Sequence, residues 1–181
     1  LLQRPHVVFH TTLFGKEMNK TLVVFNICGI HARDNLARYI RNISSIYNQA
    51  GDFDVAVSAC LNSVQERKAI LQEFPALAGY NDIKDKLPVN VTFNHTCLQF
   101  PAYDNYIYVD SGISFEQENV IADMIFWSEA WPHNLGMVSC NTDTDSGLAS
   151  WFPEGLPGET QFIMPPGKCH NLHVQLFTRS V

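Results

Sequence analysis

Apolar residues occur along this chain in two kinds of pattern, and the two kinds alternate. Continuous runs rich in β-branched and aromatic residues predict strands buried on both faces, which we place at residues 21–29, 53–61 and 106–109. Apolar residues at helical spacing predict amphipathic helices, which we place at residues 31–48, 64–74 and 115–131. The chain is therefore expected to alternate between strand and helix.

Three further segments have shorter or weaker patterns. Residues 89–96, VNVTFNHT, alternate apolar and polar side chains and predict a third, less buried strand. Residues 137–141 predict a fifth strand after the last helix. Beyond a stretch rich in Pro and Gly, residues 171–177 form another short apolar segment.

Strands joined by helices of this length form parallel βαβ units with right-handed crossovers. We therefore predict an α/β fold: an open, mostly parallel sheet with helices on both faces, Rossmann-like, in a single domain over residues 1–181. Such sheets bind ligands at the carboxyl ends of their strands. This rule directs the search for a site to residues 26–31, 58–63, 110–114 and 141–147.

Composition and charge exclude several classes of protein. The formal charge is -6 with no cluster of Lys or Arg, which excludes duplex nucleic acid as the main partner. No apolar run approaches the ~20 residues that cross a bilayer, so we predict no transmembrane segment in this chain. The five cysteines are dispersed through apolar stretches without a C-x-x-C pair, which favours reduced thiols over disulfides or zinc ligands.

Four N-x-S/T sequons, at Asn19, Asn42, Asn90 and Asn94, bear on the location of the protein. Two of them lie on the predicted third strand and one on the first predicted helix, where a glycan fits poorly, so we expect a cytoplasmic rather than a secretory protein. The chain begins without Met and ends at Val181 in what resembles the start of a strand or helix, so we expect it to be truncated.

Familiar nucleotide and hydrolase motifs are absent from the sequence. It contains no G-x-G-x-x-G after the first strand, no G-x-x-x-x-G-K-[S/T] and no G-x-S-x-G. The fourth predicted strand does end in a carboxylate, Asp110. Two interpretations are open at this point: Asp110 binds a ligand or metal, or it accepts backbone N–H bonds in the turn that Ser111 and Gly112 form.

The arrangement as a whole resembles a known family. The strand Tyr-Ile-Tyr-Val-Asp-Ser-Gly leads into an amphipathic helix and then into Gly-Met-Val-Ser-Cys, after two earlier strand–helix units. This order is similar to the nucleotide-sugar-binding half of the GT-A glycosyltransferases, over about residues 20–147, with residues 148–181 as part of an acceptor side. The resemblance implies transfer of a sugar from a nucleotide-sugar donor, expected to be a UDP-sugar, to a sugar, glycan or glycoprotein acceptor.

In that family the fourth strand ends in Asp-x-Asp, which holds Mn²⁺ or Mg²⁺ against the diphosphate of the donor. The resemblance therefore places Asp110 at the metal and diphosphate position, with His170 or His173 as a further metal ligand. Gly112 stands where the second Asp is expected. Metal-dependent transfer, metal-independent transfer and loss of activity are all compatible with that difference.

The resemblance also assigns residues to the donor and to the acid–base chemistry. The donor-binding candidates are Asn26, Cys28, Gly29, Arg33, Ser58, Asp110, Ser111 and Gly112. The candidates for the general base are Asp143, Asp145, Glu154 and Glu159, unless the base lies beyond Val181. Asp143 and Asp145 also match Asp-x-Asp literally, although their setting is typical of a solvated loop. The alternative function is a catalytically inactive α/β domain that binds a nucleotide sugar or a protein partner.

Overall fold

A computed structural model describes residues 19–27, 35–60, 63–85, 87–130, 137–139, 162–163 and 174–178. These residues form seven strands: β1 (Thr21–Ile27), β2 (Asp54–Cys60), β3 (Gly79–Ile83), β4 (Asn105–Asp110), β5 (Met137–Ser139), β6 (Phe162–Ile163) and β7 (Val174–Thr178). They also form four helices: α1 (Leu36–Tyr47), α2 (Val64–Glu73), α3 (Val89–Gln99) and α4 (Val120–Ala130).

The seven strands form one sheet in the order β3-β2-β1-β4-β7-β5-β6. The first four strands of the chain are mutually parallel, and β7 pairs antiparallel with β4 and with β5. The predicted α/β class, an open and mostly parallel sheet with helices on both faces, is confirmed. Because β7 lies beside β4, the segment expected on the acceptor side contributes a strand to the same sheet.

Helices cover both faces of the sheet, and the continuous apolar runs of the central strands explain why. Val23, Phe25 and Ile27 of β1 pack on the face covered by α1, α2 and α4. Leu22 and Val24, which alternate with them, pack on the opposite face with α3. The side chains of β1 are buried along its whole length, as expected of a parallel strand with helices on both faces.

The predicted third strand, residues 89–96, is wrong, because these residues belong to α3. Thr92, Phe93 and Thr96 all turn toward the sheet and are buried, a spacing that a helix places on one face. The threonine hydroxyls find buried partners there, which removes the cost of burying them. The third strand is instead the short edge strand β3, which pairs parallel with β2.

The predicted start of the last helix at Phe115 is also wrong, since α4 begins at Val120. The preceding backbone is held by α1 and the residues that follow it: Ser45 Oγ accepts from Phe115 N, and Glu118 O accepts from Ala50 N. These bonds replace the ones that a helical turn would make.

Two sequence-based expectations about side chains have clear outcomes. Asn94 is exposed on α3 and does not lie on a strand, so the expectation that a glycan fits poorly there was wrong. Asn42 is buried in α1, as that expectation required. Cys60 and Cys97 are free thiols, and burial raises the pKa of Cys97 to about 12.

Within the described ranges, no helix has the length and apolar content to cross a membrane.

Candidate active site

The site begins with a tightly bonded turn at the end of β4. Ser111 N donates to Asn26 O of β1 at 3.1 Å, and Ser111 O accepts from Asn42 Nδ2 of α1 at 2.8 Å. Gly112 O accepts from the Arg38 guanidinium at 3.2 Å. The turn is therefore held both by the neighbouring strand and by the helix that follows it in the chain.

Asp110 bonds within this turn and also faces the edge of the sheet. Its Oδ1 accepts from Gly112 N at 2.7 Å, and its Oδ2 accepts from the Tyr108 hydroxyl at 3.3 Å. The interpretation that Asp110 stabilises its own turn is therefore correct for one carboxylate oxygen. The side chain is half-buried, so it remains within reach of a ligand at the carboxyl-end edge of the sheet.

A stripe of polar residues along α1, which we call the α1 stripe, positions the whole segment after β4. It consists of Arg38, Asn42 and Ser45 of α1 and of Gln49, two residues after the last residue of the helix. Gln49 Nε2 donates to Gln117 O at 2.5 Å, and Gln49 Oε1 accepts from Ile121 N at 3.4 Å. Spacings of four, three and four residues place these side chains on one side of a helix. The backbone from the turn to the start of α4 is thus fixed by α1 and the residues that directly follow it.

The guanidinium of Arg38 occupies the space beside Gly112. A β-carbon at Gly112 would lie 3.3 Å from one guanidinium nitrogen of Arg38 and 3.1 Å from Oδ1 of Asp110. A positive group from α1 and a negative group from β4 therefore meet at the position where the related motif has its second carboxylate. Burial raises the pKa of the neighbouring Tyr39, which keeps that phenol neutral.

A buried polar network lies beneath this edge on the α3 face. Asn26, Ser58 and Asn81 are aligned across β1, β2 and β3 by the strand register. Asn26 Nδ2 donates to Thr92 Oγ1 at 3.0 Å, and Thr96 Oγ1 donates to Ser58 Oγ at 2.9 Å. These bonds attach α3 to the sheet.

Asn81 completes the network, since its Nδ2 donates to Thr96 Oγ1 at 2.8 Å. Asn26 and Ser58 are buried, and the contacts seen for their side chains are with α3.

The structure brings together part of the predicted site. Asp110, Ser111 and Gly112 form the turn, and Asn26 contacts it through its backbone oxygen. Ser58 lies on β2, buried and bonded to Thr96 of α3 rather than to the turn. The remaining candidates lie outside the described residues: Cys28, Gly29, Arg33, Asp143, Asp145, Glu154, Glu159, His170 and His173. Sequence reasoning missed Arg38 and Asn42 as parts of the site, although their spacing with Ser45 and Gln49 was visible as a polar stripe on a helix.

The described residues at this edge do not by themselves form a site for a divalent cation. Within the described ranges no three His, Cys, Asp or Glu side chains come together as metal ligands. Asp110 offers the one carboxylate of the turn, and the group beside it is a cationic guanidinium. Mn²⁺ and Mg²⁺ favour several oxygen ligands, so a cation here needs donors from other positions.

Comparison with known proteins supports the fold. No family model matches the sequence, and no curated protein matches it. The structure is similar to that of the mannosyltransferase PcManGT from Pyrobaculum calidifontis, solved in complex with GDP-Man and Mn²⁺. The TM-score is 0.55 at 15% identity, over 68% of this chain and 35% of that chain.

A second solved structure is that of the galactosyltransferase LgtC in complex with donor and acceptor sugar analogues. The two structures align over 87% of this chain and 57% of that chain, at 13% identity and with a TM-score of 0.47.

The fold of this chain is that of the GT-A-type glycosyltransferases, as the sequence resemblance predicted. The chain spans about a third of the length of the mannosyltransferase.

Proposed function

We propose that this chain binds a nucleotide-activated sugar at the carboxyl-end edge of its sheet and serves a glycosyltransferase reaction. The observation that supports this most is the fixed turn of Asp110, Ser111 and Gly112, which presents charged groups at the ligand-binding edge of a GT-A-type fold. The mannosyltransferase it resembles was solved with GDP-Man, and the sequence resemblance implies a UDP-sugar. Both kinds of donor are therefore candidates, with a sugar, glycan or glycoprotein as acceptor.

In such a transfer, the bond from the anomeric carbon to the phosphate oxygen breaks and a bond to the acceptor oxygen forms. The nucleoside diphosphate leaves with the bonding electron pair, and a base takes the proton of the acceptor hydroxyl. We place Asp110 beside the diphosphate, Arg33 near it, and Cys28 and Gly29 beside the base and ribose. The proposed bases are Asp143, Asp145, Glu154 and Glu159.

The proposed cofactor is Mn²⁺ or Mg²⁺, with Asp110 as the first ligand. The described residues provide no second carboxylate at the turn, so this proposal needs donors from elsewhere in the sequence. The candidates are His170 and His173, with Asp143 and Asp145 as support. When bound, such a cation neutralises the diphosphate as it leaves.

The division of the chain follows from the same proposal. We assign residues 20–147 to the nucleotide-sugar half and residues 148–181 to part of the acceptor side. This assignment is supported by β7, which comes from the second of these parts and pairs with β4, the strand that bears Asp110.

The proposal is tested by thermal unfolding with UDP-glucose, UDP-galactose and GDP-mannose, in Mn²⁺ and in EDTA. A donor present at 100 times its dissociation constant stabilises the folded chain by about 2.7 kcal/mol. Asp110→Asn keeps an oxygen that accepts from Gly112 N but removes the charge. We therefore expect it to reduce the rise in melting temperature that the donor causes in Mn²⁺, and to leave the melting temperature without donor nearly unchanged.

The matched control is Asp123→Asn, because Asp123 is an exposed carboxylate on α4 away from the turn. We expect it to leave the donor shift unchanged. If no nucleotide sugar shifts the unfolding of the wild-type chain in either buffer, the proposal is wrong.

A second candidate function is a domain that binds a nucleotide sugar or a protein partner without catalysis. Gly112 in place of the second carboxylate favours it. A donor-hydrolysis assay distinguishes the two functions. A binding domain would show a thermal shift without release of nucleoside diphosphate, whereas a transferase slowly hydrolyses the donor and releases the nucleoside diphosphate.

A further inference from the structure

The charges at the turn pose a problem for binding a diphosphate. A nucleotide sugar brings two negative phosphates, and further charge develops on the leaving oxygen as the glycosidic bond breaks. Asp110 adds another negative charge at the same edge. A site built from this carboxylate alone would repel the donor, so a positive charge, from a bound cation or from the protein, must lie close by.

Among the described residues, Arg38 provides such a charge. Its guanidinium lies beside Gly112, which places it at the exposed rim of the sheet rather than in the core. In the described part of the chain it makes one hydrogen bond, to Gly112 O, and forms no ion pair. A guanidinium has five N–H donors, so most of them remain for another partner.

Two features of its position favour binding of an anion by Arg38. Its backbone belongs to the first turns of α1, whose stripe is bonded along the segment after β4. Gly112 places no side chain between the carboxylate and the guanidinium, since a β-carbon there would lie 3.1 Å from Asp110 Oδ1 and 3.3 Å from a nitrogen of Arg38. An anion at the turn can therefore approach the guanidinium directly.

We propose that Arg38 binds the diphosphate of the nucleotide sugar directly and supplies the positive charge that a second metal-binding carboxylate would otherwise recruit. This inference rests on the proposed function. A guanidinium matches the geometry of phosphate oxygens with two parallel N–H···O bonds, which a compact ammonium group does not reproduce. Gly112 is then the residue that gives the diphosphate access to Arg38.

The test measures binding of uridine diphosphate and guanosine diphosphate to the full chain by calorimetry, in EDTA and in Mn²⁺. Arg38→Gln keeps a hydrogen-bond donor for Gly112 O and removes the charge, whereas Arg38→Lys keeps the charge. The matched control is Arg41→Gln, because Arg41 is an exposed arginine one turn further along α1. Unfolding temperatures are measured for all variants, and we expect them to stay close to that of the wild type because Arg38 is exposed.

In EDTA, we expect the wild-type chain to bind a nucleoside diphosphate and Arg38→Gln to bind it about tenfold more weakly, the loss of one charge-assisted contact. Arg38→Lys should recover part of that loss, and Arg41→Gln should match the wild type. The weakening of binding with added salt should also be smaller in Arg38→Gln, a change that a purely structural role would not produce.

Three results would overturn the inference while leaving the proposed function intact. The first is equal affinity of wild type and Arg38→Gln. The second is wild-type binding that requires Mn²⁺, since a cation would then supply the charge. The third is a salt dependence of binding in Arg38→Gln as steep as that of the wild type, which would make Arg38 a residue that only positions the turn. If the wild type binds no nucleoside diphosphate and no nucleotide sugar in either buffer, the proposed function itself fails.

Discussion

Gly112 is the residue at which this chain departs from the Asp-x-Asp pattern, and its surroundings give the departure a physical meaning. A β-carbon there would lie 3.1 Å from Asp110 Oδ1 and 3.3 Å from a nitrogen of Arg38, closer than side chains normally pack. The position is therefore suited to a residue without a side chain. A carboxylate at this point would lie against a guanidinium.

We predict that Gly112→Asp weakens binding of uridine or guanosine diphosphate in EDTA by about tenfold, measured by calorimetry. The new carboxylate would pair with Arg38 and repel the phosphates, so the variant should resemble Arg38→Gln. Gly112→Ala adds the β-carbon without the charge and serves as the control, with a smaller loss. Tighter binding of Gly112→Asp in EDTA would contradict the prediction.

At the scale of elements, one side of α1 packs against the sheet and another side hydrogen-bonds to the backbone after β4. Tyr39, Ile43 and Ile46 are buried against the sheet, while the α1 stripe bonds the backbone after β4. A change in the stripe should therefore alter the turn that bears Asp110 without opening the apolar core.

Asn42 offers the sharpest test of this, because it is buried and its Nδ2 donates to Ser111 O at 2.8 Å. We expect Asn42→Ala to lower the free energy of unfolding by about 1–3 kcal/mol, since it leaves that carbonyl without its partner. Asn42→Asp should cost more at pH 7, because it places a buried negative charge against a carbonyl oxygen.

The pH dependence separates these two variants. Burial would raise the pKa of the introduced carboxyl in the folded state above its value of about 3.9 in the unfolded chain. Its penalty should therefore shrink as the pH falls, because the protonated carboxyl can donate to Ser111 O as the asparagine does. Urea unfolding of both variants at pH 7 and pH 4.5 measures this, and a penalty for Asn42→Asp that does not change with pH would contradict it.

The elements that the sequence predicted well are those whose patterns are set by burial on the sheet. β1 and β4 are buried on both faces, and their continuous apolar runs identify them without ambiguity. α3 was predicted as a strand because its residues alternate and include β-branched side chains. Its buried face includes Thr92 and Thr96, which hydrogen-bond to residues of distant strands, and no local pattern contains that information.

The candidate site shows the same division. Asp110 could be found from the sequence because a carboxylate after a buried strand lies at a known edge of such a sheet. Arg38 could not, because exposed arginines on a helix are common and its approach to Gly112 joins positions 74 residues apart. The sequence does show the polar spacing of the α1 stripe. Its role in bonding the turn follows only from the structure, in which α1 lies beside the turn.

At the scale of the whole molecule, the two ends of the sheet have separate groups of polar contacts. The carboxyl-end edge holds Asp110 and Arg38. At the opposite end, the Tyr103 hydroxyl donates to Asp54 Oδ2 at 2.7 Å, next to the start of β2 and β4. Changes at sites this far apart without shared partners are expected to be additive.

The Tyr103 contact predicts a particular loss of stability in alkali. Burial, followed by the hydrogen bond to Asp54, raises the pKa of Tyr103 to about 12, whereas the unfolded chain has a tyrosine pKa near 10. A raised pKa in the folded state favours folding below pH 10, and this contribution disappears as the pH rises from about 10 through about 12. Tyr103→Phe lacks both the hydrogen bond and the titration, so we expect it to be less stable than the wild type at pH 7 by at most about 1 kcal/mol.

The advantage of the wild type over Tyr103→Phe should therefore shrink as the pH rises above about 10 and reverse before the pH reaches about 12, measured by urea unfolding across that range. The pKa values of Tyr39, which is buried, and of Tyr47, which is partly shielded from water, are also raised, and both residues are present in both proteins, so their contribution cancels in the comparison. Because Tyr103 lies at the far end of the sheet from Gly112, Tyr103→Phe should leave the affinity for uridine or guanosine diphosphate unchanged, and Arg38→Gln should leave the alkaline slope unchanged. If Tyr103→Phe weakened diphosphate binding, the two ends of the sheet would be coupled, and the separate roles assigned to them here would be wrong.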